Sequence, residues 1–238
     1  MKKITLLFVL TCISFSIFCQ EYSTNVQDYR VPVTIKLSKK KSETGMTEIF
    51  PYAPWEHQKS ISVFDESMKD DKWIKKKHRT KYKAKDVLGF EADGKTFVSK
   101  KVLLATVAER TNTKMLPSYY FLEQVLVGKI NVYKGYSQMP LVNETEEMRE
   151  ESRNTPQYFL EKDKKIKNSE FANLEKWLKD GKETYEKYMD GGFGNTKRKK
   201  SKKKLMSRLT DGLSKFNEKG NRDMLVKIIT AYNIEMEQ

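Results

Sequence analysis

From Tyr29 to Tyr136 apolar and polar residues alternate in short runs with a period near two. Val31, Val33, Ile35 and Leu37 alternate with Pro32, Thr34 and Lys36, which predicts a half-buried strand. Pro32 lacks a backbone donor, so it belongs early in that strand or at a sheet edge. Ser60–Phe64, Tyr82–Phe90 and Lys101–Ala108 read as further strands, with a turn at Asp93-Gly94. Tyr119–Tyr136, YYFLEQVLVGKINVYKGY, reads as two strands joined at Gly128-Lys129. Glycine at the first central position suits a type II′ hairpin. This half is expected to form an antiparallel sheet, sandwich-like or a small open barrel.

The pattern changes near residue 140. Residues 141–168 are polar, with Glu144, Glu146, Glu147, Glu150 and Glu151 clustered, and read as a linker or helix end. Beyond them the apolar spacing becomes helical. Phe171, Leu174, Trp177, Leu178, Tyr185 and Tyr188 share one face, Ser169 is a candidate N-cap, and Gly191-Gly192 stops the helix. Leu205, Leu209, Leu213 and Phe216 mark a second helix ended by Gly220. Asn221 caps a third that carries Leu225, Ile228, Ile229 and Tyr232. The expectation is therefore α+β: a β-rich domain over 20–140, a linker over 141–168 and a helical region over 169–238.

Residues 1–20, MKKITLLFVLTCISFSIFCQ, open with two lysines and continue apolar or hydroxylated from Ile4 to Phe18. That is a secretory signal, expected over 1–19, and it is too short for a stable membrane span. No transmembrane span is expected once it is removed. A lipid anchor at Cys19 is the alternative, disfavoured because Phe18 stands where a small residue belongs. The expected location is the periplasm or the outer surface of a cell envelope. Cys12 and Cys19 both fall inside the signal, so the mature chain would hold no disulfide, thiolate metal site or cysteine nucleophile.

The chain carries a net charge of +14, and removing Lys2 and Lys3 with the signal leaves +12. Thirty-eight residues are Lys and eight are Arg. Lysine supplies mobile point charge, whereas Arg supplies planar, bidentate recognition. The charge peaks in a basic loop at 195–204, NTKRKKSKKK, expected to lie between the glycine stop and the next helix. Lys197, Arg198, Lys199, Lys200, Lys202, Lys203 and Lys204 form the candidate polyanion-binding site. The partner expected for them is an anionic surface, lipid or polysaccharide. Specific nucleic-acid reading is not expected, because the run holds one Arg and no aromatic for stacking.

Little in the chain points to an enzyme. His57 and His78 lack metal-ligand spacing, so no metal and no cofactor are expected. No G-x-S-x-G occurs, and GGFG lacks the strand that precedes a phosphate loop. Asp65/Glu66 and Asp70/Asp71 are adjacent pairs, which suits exposed loops better than a glycosidase cleft. The aromatics around the predicted hairpin, Tyr119, Tyr120, Phe121, Tyr133 and Tyr136, are expected to pack as cross-strand neighbours.

The sequences YKAKDVLGFEADGKTFVSKK, YYFLEQVLVGKINVYKGY and MLVKIITAYN occur in that order. In this the chain resembles small secreted proteins of Bacteroidota-type bacteria, over roughly residues 29–136 and 222–233. The resemblance implies a β-rich part followed by short helices, and export to the envelope. It brings no assigned activity and no functional residues, and the lysine run lies outside the shared pattern. The expected function is a non-enzymatic binding or assembly module with an envelope protein as partner. The alternative is a peripheral binder of polyanions or anionic membranes through Lys197–Lys204.

Overall fold

The computed structural model describes residues 25–104, 116–136, 145–195 and 219–238. Ten strands are found there: β1 (Arg30–Lys36), β2 (Ser42–Glu48), β3 (Ser60–Val63), β4 (Thr80–Lys83), β5 (Gly89–Ala92), β6 (Lys95–Val102), β7 (Ser118–Leu126), β8 (Asn131–Gly135), β9 (Gln157–Lys162) and β10 (Lys165–Asn168). Eight form one open antiparallel sheet in the order β10-β9-β8-β7-β6-β5-β1-β2, and β3-β4 form a second, two-stranded sheet. The helices are α1 (Glu146–Asn154), α2 (Leu174–Trp177), α3 (Lys182–Met189) and α4 (Lys219–Glu237). The fold is α+β.

The alternation in β1 does what its spacing predicts. Val33 and Ile35 are buried, and they sit opposite Ala92 and Phe90 of β5. Paired residues share a sheet face, so the register follows that face from strand to strand. It runs from Ile35 to Phe90, from Phe90 to Phe97, and on through Glu123 and Lys134. At one end β3 covers it with Ile61 and Val63; at the other, Val132 and Leu160 meet Leu225, Ile228, Ile229 and Tyr232 of α4. Burying each Leu or Ile contributes about 2 kcal/mol relative to leaving it in water. Phe121 sits in the first of these cores and Val125 packs against the second, so Glu123 falls between them on β7. Its carboxylate pairs with Lys134 at 2.7 Å. The opposite face of the same strands carries Leu122, Tyr133 and Phe159.

That two-sided burial explains which strands the sequence hid. In β9, Phe159 and Leu160 are adjacent and both buried, one on each face, so no alternation appears. β9 pairs with β8, and the stretch 141–168 expected as a linker therefore holds α1 and the β9–β10 hairpin. β2, SETGMTE, has one apolar side chain and still pairs with β1 along its length. A Cβ at Gly45 would meet Val63 Cγ1 at 2.6 Å, so glycine lets the two sheets close there. The predicted Tyr82–Phe90 strand is split between β4 and β5, which belong to different sheets.

Turn chemistry is mixed. Asp93 and Gly94 have φ of 51° and 67° and join β5 to β6, matching the tight turn expected. Asp163 and Lys164 make the equivalent turn between β9 and β10 with φ of 50° and 65°. The β7–β8 connection corrects its prediction. It spans residues 127–130, and Gly128 is not among the positive-φ glycines that a type II′ turn requires. Gly128 is needed for space, since a Cβ there would lie 2.5 Å from Asn233 Cγ.

The helix predicted across Phe171–Tyr188 is interrupted. Asn168, not Ser169, caps a 3-10 turn over Ser169–Phe171, and Asn173 caps α2 through the Lys176 N–H at 3.2 Å. The chain restarts at Gly181, where a Cβ would meet the Tyr232 ring at 2.8 Å. Gly191, at φ 80°, ends α3, and the Gly192 N–H bonds the Lys187 carbonyl at 2.8 Å, so the predicted glycine stop is present. α4 already runs from Lys219, which places Gly220 and Asn221 within its first turn rather than before it. The expected signal over 1–19, the Ala108 end of the strand predicted over Lys101–Ala108 and the helix predicted over Leu205–Phe216 lie outside the described residues.

α4 supplies the polar ties of the helical layer. Tyr232 donates to Asp180 at 2.8 Å, and Lys162 of β9 bonds both Asp180 oxygens at 2.6 and 2.9 Å. Burial alone would raise the Asp180 carboxyl; Lys162 and Tyr232 outweigh it and hold its pKa below the usual range. Glu235 caps α3 from another helix, accepting the Glu183 and Thr184 N–H groups at 2.9 Å each. We expect Glu235→Ala to cost about 1 kcal/mol, the scale of a lost N-cap, read as a lower urea midpoint at unchanged slope. No loss would mean that water replaces the cap.

Candidate functional site

Residues Lys197, Arg198, Lys199, Lys200, Lys202, Lys203 and Lys204 lie outside the described residues. Within the described ones a second cationic segment stands out, in the connection from β3 to β4. It reads DESMKDDKWIKKKHR over 65–79. Its first half holds the acids Asp65, Glu66, Asp70 and Asp71. Its second half, from Lys72 onward, holds four lysines and Arg79 with no acid. Trp73 sits at the boundary and is 80% exposed.

The segment is braced rather than loose. Arg30 is 7% exposed and its Nη1 donates to the carbonyls of Met68, Lys69 and Asp71 at 3.4, 2.6 and 2.7 Å. Gln27 Nε2 donates to the Asp70 carbonyl at 2.6 Å. On the far side of Trp73, Arg79 Nε donates to the Ile74 carbonyl at 3.4 Å. Arg79 also grips Glu48 with two bonds of 2.7 and 3.0 Å, while Arg30 Nε lies 3.5 Å from the same carboxylate. The Phe64 ring is 5.6 Å from the Arg30 guanidinium and 5.4 Å from that of Arg79. Asp65 accepts the Ser67 N–H at 2.9 Å and closes the loop's first turn.

Two consequences follow from this bonding. The arginines are spent on the brace, so the free positive charge comes from lysine. Lys72, Lys75, Lys76 and Lys77 are exposed, and among the described residues none of them forms an ion pair. Trp73 projects from backbone fixed two residues before it and one after it. Its exposure is thus a property of a held loop, not of a free end.

Several other titratable groups are committed to the fold. On the second sheet face Lys100 and Tyr133 both donate to Glu161 Oε2, at 2.7 and 2.5 Å, and Lys100 Nζ lies 4.8 Å from the Tyr133 ring. Burial and the Glu161 charge push the Tyr133 hydroxyl far up, which keeps it protonated as a donor. This set straps β6, β8 and β9 together. His57 is tied by its Nε2 to the Phe50 N–H at 3.2 Å and stacks on that ring at 5.9 Å. Asp70 and Asp71 are exposed, as expected of loop acids. Among the described residues no group of three or more His, Cys, Asp or Glu is placed to hold a metal ion. Of the hairpin aromatics, Phe121 and Tyr133 are buried, whereas Tyr119 remains 45% exposed. Among the described residues no helix is long and apolar enough to cross a membrane.

The sequence did carry a signal for the Trp73 loop. KWIKKKHR interleaves an aromatic with lysines, the combination that NTKRKKSKKK lacks. The later run is longer and denser in charge, and the brace by Arg30 acts across about 40 residues, beyond any local pattern. No protein-family model matches the chain, and no significant match is found among curated proteins or solved structures.

Proposed function

We propose that this protein is an exported, non-enzymatic binding module of a bacterial cell envelope that attaches to anionic surfaces through the Trp73 loop. The observation that carries the reading is a tryptophan 80% exposed on a loop braced by Arg30 and flanked by four lysines without ion pairs, Lys72 before it and Lys75, Lys76 and Lys77 after it. Exposed lysines attract anions over roughly a Debye length, about 8–10 Å in physiological salt. A fixed aromatic beside them adds short-range contact at low ordering cost, because the backbone is already held. The apolar run Ile4–Phe18 behind Lys2 and Lys3, and the resemblance to secreted Bacteroidota-type proteins, support the envelope placement.

The test is retention on immobilised heparin, a sulfated polysaccharide, along a salt gradient. One variant carries Gln at Lys72, Lys75, Lys76 and Lys77; the other carries Gln at Lys199, Lys200, Lys202 and Lys203. Each removes four charges, so a difference between them reports position rather than net charge. The expected result is earlier elution of the first variant. Equal shifts would mean that overall charge alone governs retention, and a larger shift in the second would move the site to the 195–204 run.

A further inference from the structure

We infer that the surface the Trp73 loop is built for is an anionic lipid bilayer, with Trp73 seated at headgroup depth and Lys72, Lys75, Lys76 and Lys77 among the headgroups. This rests on the anionic-surface reading above and names its partner. Three observations select lipid over a soluble polyanion. The first is the side-chain chemistry. Nucleic-acid and sulfate recognition draws on Arg forks and on several stacking rings. Here Arg79 is occupied by Glu48 and the Ile74 carbonyl, Arg30 is buried in the brace, and one ring projects. Lysine and a lone tryptophan suit an interface instead. The indole prefers the headgroup region, and lysine stems lie along apolar surface while their ammonium groups stay in water.

The second observation is the distribution of charge along the loop. Asp65, Glu66, Asp70 and Asp71 all precede Trp73, in the part whose carbonyls are tied to Arg30 and Gln27. The lysines without ion pairs bracket Trp73 and continue beyond it. Counting Lys69 and Arg79, residues 65–79 hold six cations against four acids, but 72–77 hold four lysines and no acid. The half of the loop from Lys72 onward is therefore more cationic than the half before it, which is the polarity needed to meet a negative surface.

The third observation is exposure against stiffness. An aromatic on a free loop can fold back on its own protein, whereas here bonds to the Asp71 and Ile74 carbonyls flank Trp73 and leave it 80% exposed. Ile74, next to it, is half-buried and can follow the indole only in part. The loop thus dips one ring into the interface and attaches peripherally, through charge.

The chain has three tryptophans, and fluorescence separates them. Trp55 is buried and Trp177 packs against the helical core, so Trp73 supplies the water-exposed emission. The form beginning at Gln20 retains every described element. It is titrated with phosphatidylcholine vesicles with and without phosphatidylglycerol, some carrying bromine-labelled chains near the headgroups. The expected result is a blue shift and bromine quenching with phosphatidylglycerol only, both absent in Trp73→Phe. Replacing Lys72, Lys75, Lys76 and Lys77 by Gln is expected to weaken vesicle binding at least about a hundredfold, from roughly fivefold per lysine at low salt. Arg30→Met, which releases the brace, is expected to weaken binding while leaving the four lysines in place. Near-ultraviolet circular dichroism of each variant establishes that the fold persists. Vesicle binding with no change in Trp73 emission would overturn the inference, because another surface would then be making contact. Binding to heparin or nucleic acid with a Trp73 response but none with vesicles would overturn the lipid assignment while the anionic-surface reading stands. Binding to none of these would overturn both.

Discussion

Asn233→Ala is expected to destabilise the fold by about 3 kcal/mol, the largest loss anticipated from removing a single polar side chain here. Asn233 lies in α4 and is 6% exposed. Its Oδ1 accepts the Ile130 N–H and its Nδ2 donates to the Ile130 carbonyl, each at 2.9 Å. Ile130 is fully buried in the loop between β7 and β8, where no strand partner serves its backbone. Alanine would leave both groups without a partner, at about 1–3 kcal/mol each, with partial relief from any water that enters. It would also open space beside Gly128, whose missing Cβ makes room for the Asn233 side chain. The check is urea denaturation, with a lower midpoint at unchanged slope. Ile234→Ala is the control: that side chain is 55% exposed, and its loss should stay within about 0.5 kcal/mol. A loss below about 1 kcal/mol for Asn233→Ala would show that the Ile130 groups reach solvent.

Stability is expected to fall by roughly 3 kcal/mol as pH drops from 6.5 to about 4, because of His57. Burial is the main cause: it disfavours the imidazolium and lowers the His57 pKa to about 4, against the opposing pull of Glu48. The hydrogen bond agrees with this. Nε2 accepts the Phe50 N–H, so it carries no proton, and protonation would remove the acceptor. Above pH 6.5 the residue is neutral in both folded and unfolded chains and the full contribution is present. Between 6.5 and about 4 the unfolded chain binds the proton and the folded chain does not, so stability declines as pH falls. Below about 4 both forms are charged and His57 adds no further loss. Glu161 and Asp180 act lower still. Burial raises each carboxyl, but Lys100 and Tyr133 in one case, and Lys162 and Tyr232 in the other, hold it below the usual range. Their contribution is present above the unfolded carboxylate pKa near 4 and is lost as pH falls through the depressed values. His57→Gln should therefore flatten the stability profile between pH 6.5 and 4.5 and keep the steeper acid limb. Proton NMR of the His57 ring is the direct check, and titration near 6.5 would refute the argument.

The Asn233 expectation and the Trp73 loop both rest on ties between residues far apart in the chain, and this is where the sequence stopped being legible. Asn233 and Ile130 are 103 residues apart. The Arg30 brace reaches about 40 residues to hold the Trp73 loop. Nothing in the spacing of neighbours announces such a bond. The aromatic within KWIKKKHR was readable, but its exposure was not, since Trp55 and Trp73 are the same residue type with 6% and 80% exposure. The candidate run Lys197–Lys204 stands out by charge density alone, and density does not say which cations are already paired.

The sequence by itself determined the local elements whose cause lies within a few residues. The alternation of Val31–Leu37 made β1, Asp93-Gly94 made a left-handed turn, Gly191-Gly192 ended a helix, and Leu225–Tyr232 gave α4 its buried face. These follow from backbone sterics and from burial on one side of an element. The tertiary structure decided the rest. It put β9 and β10 into the sheet, split Tyr82–Phe90 between two sheets, and turned Gly128 from a turn former into a gap for Asn233. A strand buried on both faces has no alternation to read, and a close approach or a long-range tie depends on what the rest of the chain brings alongside.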